Sequence, residues 1–215
     1  MLAGPALAGT DTASAAVTWP DSFQSRLAVW ALIETLNADL LASHSATLTL
    51  TDWCASHHMS EPPKIIARLQ SGATKPITAE QRKDLDIGPD EPVIYRRVDL
   101  TCGTHVLSQA DNWYVPSRLT SAMNAALTSS NTPFGLVIRP LHPQRHTLGV
   151  TFFWHPLPQD WELHAPPADA AHAGALDVPQ LLFQHRAIVS DAEDRPVSEV
   201  VETYTRANLD FVHGK

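Results

Sequence analysis

The segment from Arg96 to Gly135 constrains the fold more than any other part of the chain. An apolar run, "PVIYRRVDL" (92–100), meets a tight turn at Cys102-Gly103, and a second run, "HVLSQADNWYV" (105–115), is stopped by Pro116. Two strands joined by so short a connection must lie antiparallel, because parallel neighbours need a crossover of a dozen residues or more. "SRLTSAMNAAL" then reads as a helix leading into "TPFG" at 132–135. Near the other end, "QLLFQHRAIVSD" and "RPVSEVVETYTR" read as a closing hairpin.

Helices gather in the first half. Val29, Leu32, Ile33, Leu36 and Leu40 fall at helical spacing behind Asp21 or Ser22 as a cap, which predicts a helix over 22–43. "TDWCASHHM" opens with Thr51 or Asp52 as the cap of a short second helix, and "KIIARLQ" (64–70) reads as a strand. Residues 71–92 are polar and interrupted by Gly72, Pro76, Gly88 and Pro89, around a helical turn at "TAEQRKDL"; such a segment is more often a functional flap than a random loop. "RHTLGVTFFW" (145–154) is a further strand, followed by a proline- and alanine-rich excursion over 156–178. Strands that follow strands through short turns predict an α+β domain, not a doubly wound one. Its mainly antiparallel sheet should have about five to seven strands, with helices on one face.

Composition narrows the function. At 215 residues the chain fits one domain, read as 21–215 behind a leader at 1–20, and 44% hydrophobic with 18% charged residues is globular. A formal net charge of -8 argues against a nucleic-acid partner, whose phosphates draw on lysine and arginine. No apolar run approaches the roughly 20 residues of a membrane helix. Ala6-Leu7-Ala8 has the form of a signal-peptidase site without a basic segment before it. The leader is therefore either the tail of an export signal or a disordered segment of a cytoplasmic protein. Cys54 and Cys102 follow the same fork: buried thiols in a reducing compartment, or one disulfide in an oxidising one. His142 and His146 stand at HxxxH spacing, but Pro143 works against a helix there and no acidic ligand adjoins, so no metal is expected.

Arg96 alternates along its strand with Ile94 and Val98, which points its guanidinium toward the core. A buried guanidinium needs an anionic partner to offset its desolvation, and a ligand can be that partner. A strand glutamate is ordinarily exposed. Glu202 shares a strand face with Val200 and Tyr204, however, so it is inside if that face is the buried one.

Three features together resemble the chorismate pyruvate-lyase family and its superfamily, which includes the ligand-sensing domains of some bacterial transcription regulators. They are the arginine before the first hairpin, the Thr132-Pro133-Phe134-Gly135 motif, and a late glutamate six residues past Pro196. The resemblance covers about residues 36–56 and 64–206. It implies that Arg96 or Arg97 clamps a substrate carboxylate, with the inward alternation favouring Arg96. It also implies that the backbone at Phe134 and Gly135 contributes to the pocket, and that Glu202, or alternatively Glu199, meets the ring oxygen as catalytic carboxylate. Leu48 and Thr49, in "SATLT" between the first helices, are further pocket positions, and flaps near 44–60 and 72–90 exclude water. The implied ligand is a small anionic cyclic or aromatic carboxylate, and the implied reaction, chorismate to 4-hydroxybenzoate and pyruvate, needs no cofactor. The alternative is a non-catalytic binding protein on the same fold. The excursion at 156–178 departs from the family pattern, nothing before residue 64 is basic enough for the DNA-binding helices of the regulators, and the oligomeric state stays open.

Overall fold

A short strand β1 (Pro20–Ser22) leads into helix α1 (Phe23–Ala42), which starts where Ser22 Oγ accepts the Ser25 amide and buries Val29, Ile33, Leu36 and Leu40. The computed structural model describes residues 18–164, 166 and 171–211, so the expected leader lies almost wholly outside the described residues. Helix α2 (Ala46–Ser56) begins five residues before the expected cap at Thr51. Ser45 Oγ accepts the Leu48 amide, and Thr49 and Thr51 turn their hydroxyls back to the carbonyls of Ser45 and Thr47. Threonines that bond backward in this way are tolerated inside a helix, which is why "SATLT" is the first turn of α2 and not a loop.

Strand β2 (Ile65–Leu69), helix α3 (Ala79–Asp84) and the hairpin of β3 (Ile94–Cys102) and β4 (His105–Tyr114) follow. Gly103 turns that hairpin at φ +57°, and a side chain there would put Cβ 2.8 Å from Ser60 Oγ, so glycine is required twice over. Helices α4 (Ser121–Ser129) and α5 (Phe134–Val137) precede strand β5 (Gln144–Phe152). Strand β6 (Ala171–Ala175), inside the proline- and alanine-rich excursion, pairs with β1 as a separate two-stranded ribbon. Strands β7 (Leu181–Ser190) and β8 (Pro196–Thr205) close the fold.

The main sheet has six strands in the order β2-β3-β4-β8-β7-β5, every neighbouring pair antiparallel. The class is α+β, as the succession of hairpins requires, and both expected hairpins lie in this sheet. One face carries two apolar clusters. The larger joins α1 and α2 to Val98, Leu100, Phe183 and Tyr204; the smaller joins Met123 and Leu127 of α4 to Ala187, Val189 and Val200. A disulfide between Cys54 and Cys102, with Cα atoms 6.2 Å apart, fastens α2 to the end of β3.

The 72–90 segment does not act as expected. It covers the opposite face, where Leu85 packs against Val115 and Ile188, Gln81 donates to Glu199 Oε1, and Trp113 Nε1 donates to the Lys75 carbonyl. Arg186 cross-links Glu199 to Glu80 and Asp84. The outward-pointing residues of β4, β7 and β8 include large apolar and charged groups that need cover, and this segment supplies it. Exclusion of water from the helical face falls to α2 and α5.

Candidate functional site

Between the two clusters of the helical face lies a cavity of about 70 Å3, counted as the room open to the centre of a water molecule. Its apolar walls are Val98, Leu100, Ala110, Phe134, Ile138, Val189 and Val200, and its polar lining includes Arg96, Asn112, Arg145, Glu202 and the first turn of α2. Apolar walls with a few convergent polar groups are the ordinary make-up of a small-molecule site.

The register explains the convergence. Arg96 pairs with Asn112, which pairs with Val200, and Glu202 pairs with Ala110 and His185, so all of them share one face of the sheet. Arg96 is 4% exposed. Its Nε donates to the Leu127 carbonyl in the last turn of α4 (3.0 Å), and an Nη donates to the Thr132 carbonyl of the TPFG motif (3.2 Å). No carboxylate among the described residues pairs with it. Burial pulls this guanidinium below the usual arginine range, with Tyr114 opposing weakly.

Glu202 is 7% exposed and is already paired. Arg145, on β5, donates to Glu202 Oε2 at 2.8 Å and to Thr147 Oγ1 at 2.7 Å, and the Tyr204 hydroxyl donates to the same Oε2 at 3.3 Å. Burial works against the Arg145 charge, but Glu202 and then Tyr204 outweigh it and hold the guanidinium above the usual arginine range. Burial also raises the Tyr204 phenol, so it serves as a donor. Behind this pair, the fully buried His185 gives its Nε2 hydrogen to Asn37 Oδ1 at 2.8 Å and turns Nδ1 toward Arg145 at 3.4 Å. Burial, with Arg145 beside it, lowers His185 to about 4, which keeps the ring neutral.

Of the residues singled out in the sequence, Arg96, Phe134, Gly135 and Glu202 meet at this cavity. Gly135 brings the TPFG motif against α2, where an added Cβ would stand 3.4 Å from Ser45 Oγ. Arg97 does not reach it. One residue along the strand from Arg96, it points to the opposite face and pairs with Asp111 at 2.9 Å. Glu199 also points that way, so of the two glutamates only Glu202 faces the cavity. Leu48, 52% exposed, and Thr49 lie outside its lining, because the helical turn places Ala46 and Thr47 against the sheet instead.

Sequence reasoning missed Arg145, Asn112 and His185. Asn112 left a signal, an amide on the same strand face as Ala110 and Tyr114. Arg145 left little, since an arginine opening an edge strand reads as solvent-facing. Among the described residues no cluster of three histidine, cysteine, aspartate or glutamate side chains could hold a metal ion, and no helix is long and apolar enough to cross a membrane.

No protein-family model matches the chain. The uncharacterized protein y4mC of Sinorhizobium fredii is 43% identical over 194 residues, which are 90% of this chain and 81% of that protein. Among solved structures, the effector domain of PhnF from Mycobacterium smegmatis aligns with TM-score 0.43 at 10% identity, over 70% of this chain and 88% of that one. A GntR-family transcriptional regulator from Enterococcus faecalis aligns with TM-score 0.42 at 13% identity, over 69% and 99%. YydK from Bacillus subtilis aligns with TM-score 0.41 at 15% identity over 70% of this chain, which spans only 61% of the YydK structure.

Proposed function

The chain belongs to the same family as the uncharacterized protein y4mC of Sinorhizobium fredii, and from its own cavity we propose that it binds a small cyclic or aromatic carboxylate. One observation carries the reading: Arg96 is a buried cation on the cavity wall, held by two main-chain carbonyls and by no carboxylate among the described residues. A guanidinium taken out of water without a counter-ion is costly, and two fixed carbonyls leave its remaining N–H groups for a bidentate carboxylate. Glu202 stands on β8, two strands from β3 and hence roughly 9.5 Å across the sheet. A ring held by its carboxylate on Arg96 can therefore present its far oxygen to the Arg145–Glu202 pair. Because Arg145 is a permanent cation, Glu202 acts there as hydrogen-bond acceptor for a ring hydroxyl.

The finer reading is the chorismate lyase reaction, in which the ring loses a proton and its enolpyruvyl ether as pyruvate. The same clamp and acceptor would orient chorismate for it. Binding without turnover has one observation on its side. Histidine aside, the lining carries two guanidiniums and one carboxylate, a net charge that matches a single carboxylate, whereas chorismate brings two.

Calorimetric titration with 4-hydroxybenzoate tests the binding: wild type should bind, and Arg96→Ala should lose affinity by a hundredfold or more while keeping its far-ultraviolet circular dichroism. Equal affinity in the variant would overturn the reading. Incubation with chorismate, followed for pyruvate and 4-hydroxybenzoate together, decides the reaction.

A further inference from the structure

Asn112 stands directly opposite Arg96 in the β3–β4 register and lines the same cavity. It is 3% exposed, and its Oδ1 is buried with no donor among the described residues. A buried amide oxygen without a donor destabilises a fold, and native proteins rarely keep one unless something other than folding requires it. An apolar side chain of the same shape, such as leucine, would remove the cost. Neither a core role nor a donor among the described residues explains this asparagine.

We propose that Asn112 is a specificity-determining residue of the cavity, and that the ligand is a ring carboxylate bearing a hydroxyl or amine on the flank beside its carboxylate end. This rests on the reading of Arg96 given above and deepens it. Side chains directly opposite on antiparallel strands have Cβ atoms about 5 Å apart. A carboxylate seated on Arg96 thus brings its ring positions next to the attachment carbon over Asn112, while the far end of the ring lies toward Glu202. The acceptor on Asn112 selects a donor on that flank, and Glu202 selects a donor at the far end. A ring with both groups satisfies both; a ring with only the far hydroxyl leaves Asn112 unpaired.

The test is a titration series of benzoate, 4-hydroxybenzoate, 2,4-dihydroxybenzoate and 3,4-dihydroxybenzoate against wild type, Asn112→Leu and Asn112→Asp, with thermal melts of each unliganded protein. Wild type should bind 2,4-dihydroxybenzoate roughly tenfold or more tighter than 4-hydroxybenzoate, the order of one buried hydrogen bond, and 3,4-dihydroxybenzoate, whose second hydroxyl is one position farther from the carboxylate, no tighter than 4-hydroxybenzoate. Asn112→Leu should erase that preference and yet melt higher than wild type, an outcome that a structural asparagine would reverse. Asn112→Asp gives Arg96 a carboxylate inside the chain, so it should fold and reject every carboxylate of the series. The inference fails if wild type shows no flank preference, if the preference survives in Asn112→Leu, or if Asn112→Leu melts lower. If wild type binds none of the four, the carboxylate reading of Arg96 falls and this inference falls with it.

Discussion

The buried Arg145–Glu202 pair is costly to disturb by halves. Removing one partner of a buried ion pair leaves an uncompensated charge, worth roughly 3–5 kcal/mol, whereas replacing both with apolar groups of similar size can be neutral. Arg145→Ala should therefore lower stability by several kcal/mol in chemical denaturation, and Arg145→Met combined with Glu202→Leu should recover most of it. His185 adds a pH dependence. Its folded pKa of about 4 lies below the roughly 6.5 of an unfolded histidine, so between those values the unfolded chain takes up a proton that the folded one refuses. Stability is complete above pH 6.5 and declines by up to about 3 kcal/mol as pH falls to 4, where the decline levels off. Melting points measured across that range should show the slope, and His185→Gln should flatten it. At this scale the sequence was partly legible. Alternation with Ile94 and Val98 placed Arg96 inside, and alternation with Val200 and Tyr204 did the same for Glu202. Nothing in "RHTLGVTFFW" marked Arg145 as interior, because its partners, Glu202 on β8 and His185 on β7, stand some forty to sixty residues away in sequence, which is a long-range effect.

Among the elements, α2 links sequence to site most directly. Its first turn forms part of the cavity wall, and the side chain that caps that turn is Ser45. Ser45→Ala should cost about 1 kcal/mol, as loss of an N-cap usually does, and should weaken ligand binding more than a cap substitution elsewhere, such as Thr120→Ala on α4. Paired denaturation and titration curves would check this, and equal binding by the two variants would detach α2 from the site. The strands and α1 were readable because period and punctuation agree in them. The start of α2 was not, since three threonines in alternation look like a strand or loop until the hydroxyls of Thr49 and Thr51 find carbonyls one turn back. The 72–90 segment misled for a similar reason. Its polarity is that of a flap, yet Gln81 and Arg186 use that polarity to bind it to the far face.

On the scale of the whole molecule, the antiparallel sheet followed from hairpin spacing alone, while the order that brings β8 between β4 and β7 depended on pairings across more than eighty residues that no local pattern encodes. The Cys54–Cys102 bond joins two residues 48 apart in sequence by a single covalent link. It closes β2, α3 and β3 into a covalent ring, and rings respond differently from threads to being cut. A protease that hydrolyses one peptide bond anywhere between residues 55 and 101 opens the ring without parting the chain. The clipped protein should therefore migrate as one intact-sized band in denaturing gels run without reductant and resolve into two fragments once the thiols are freed.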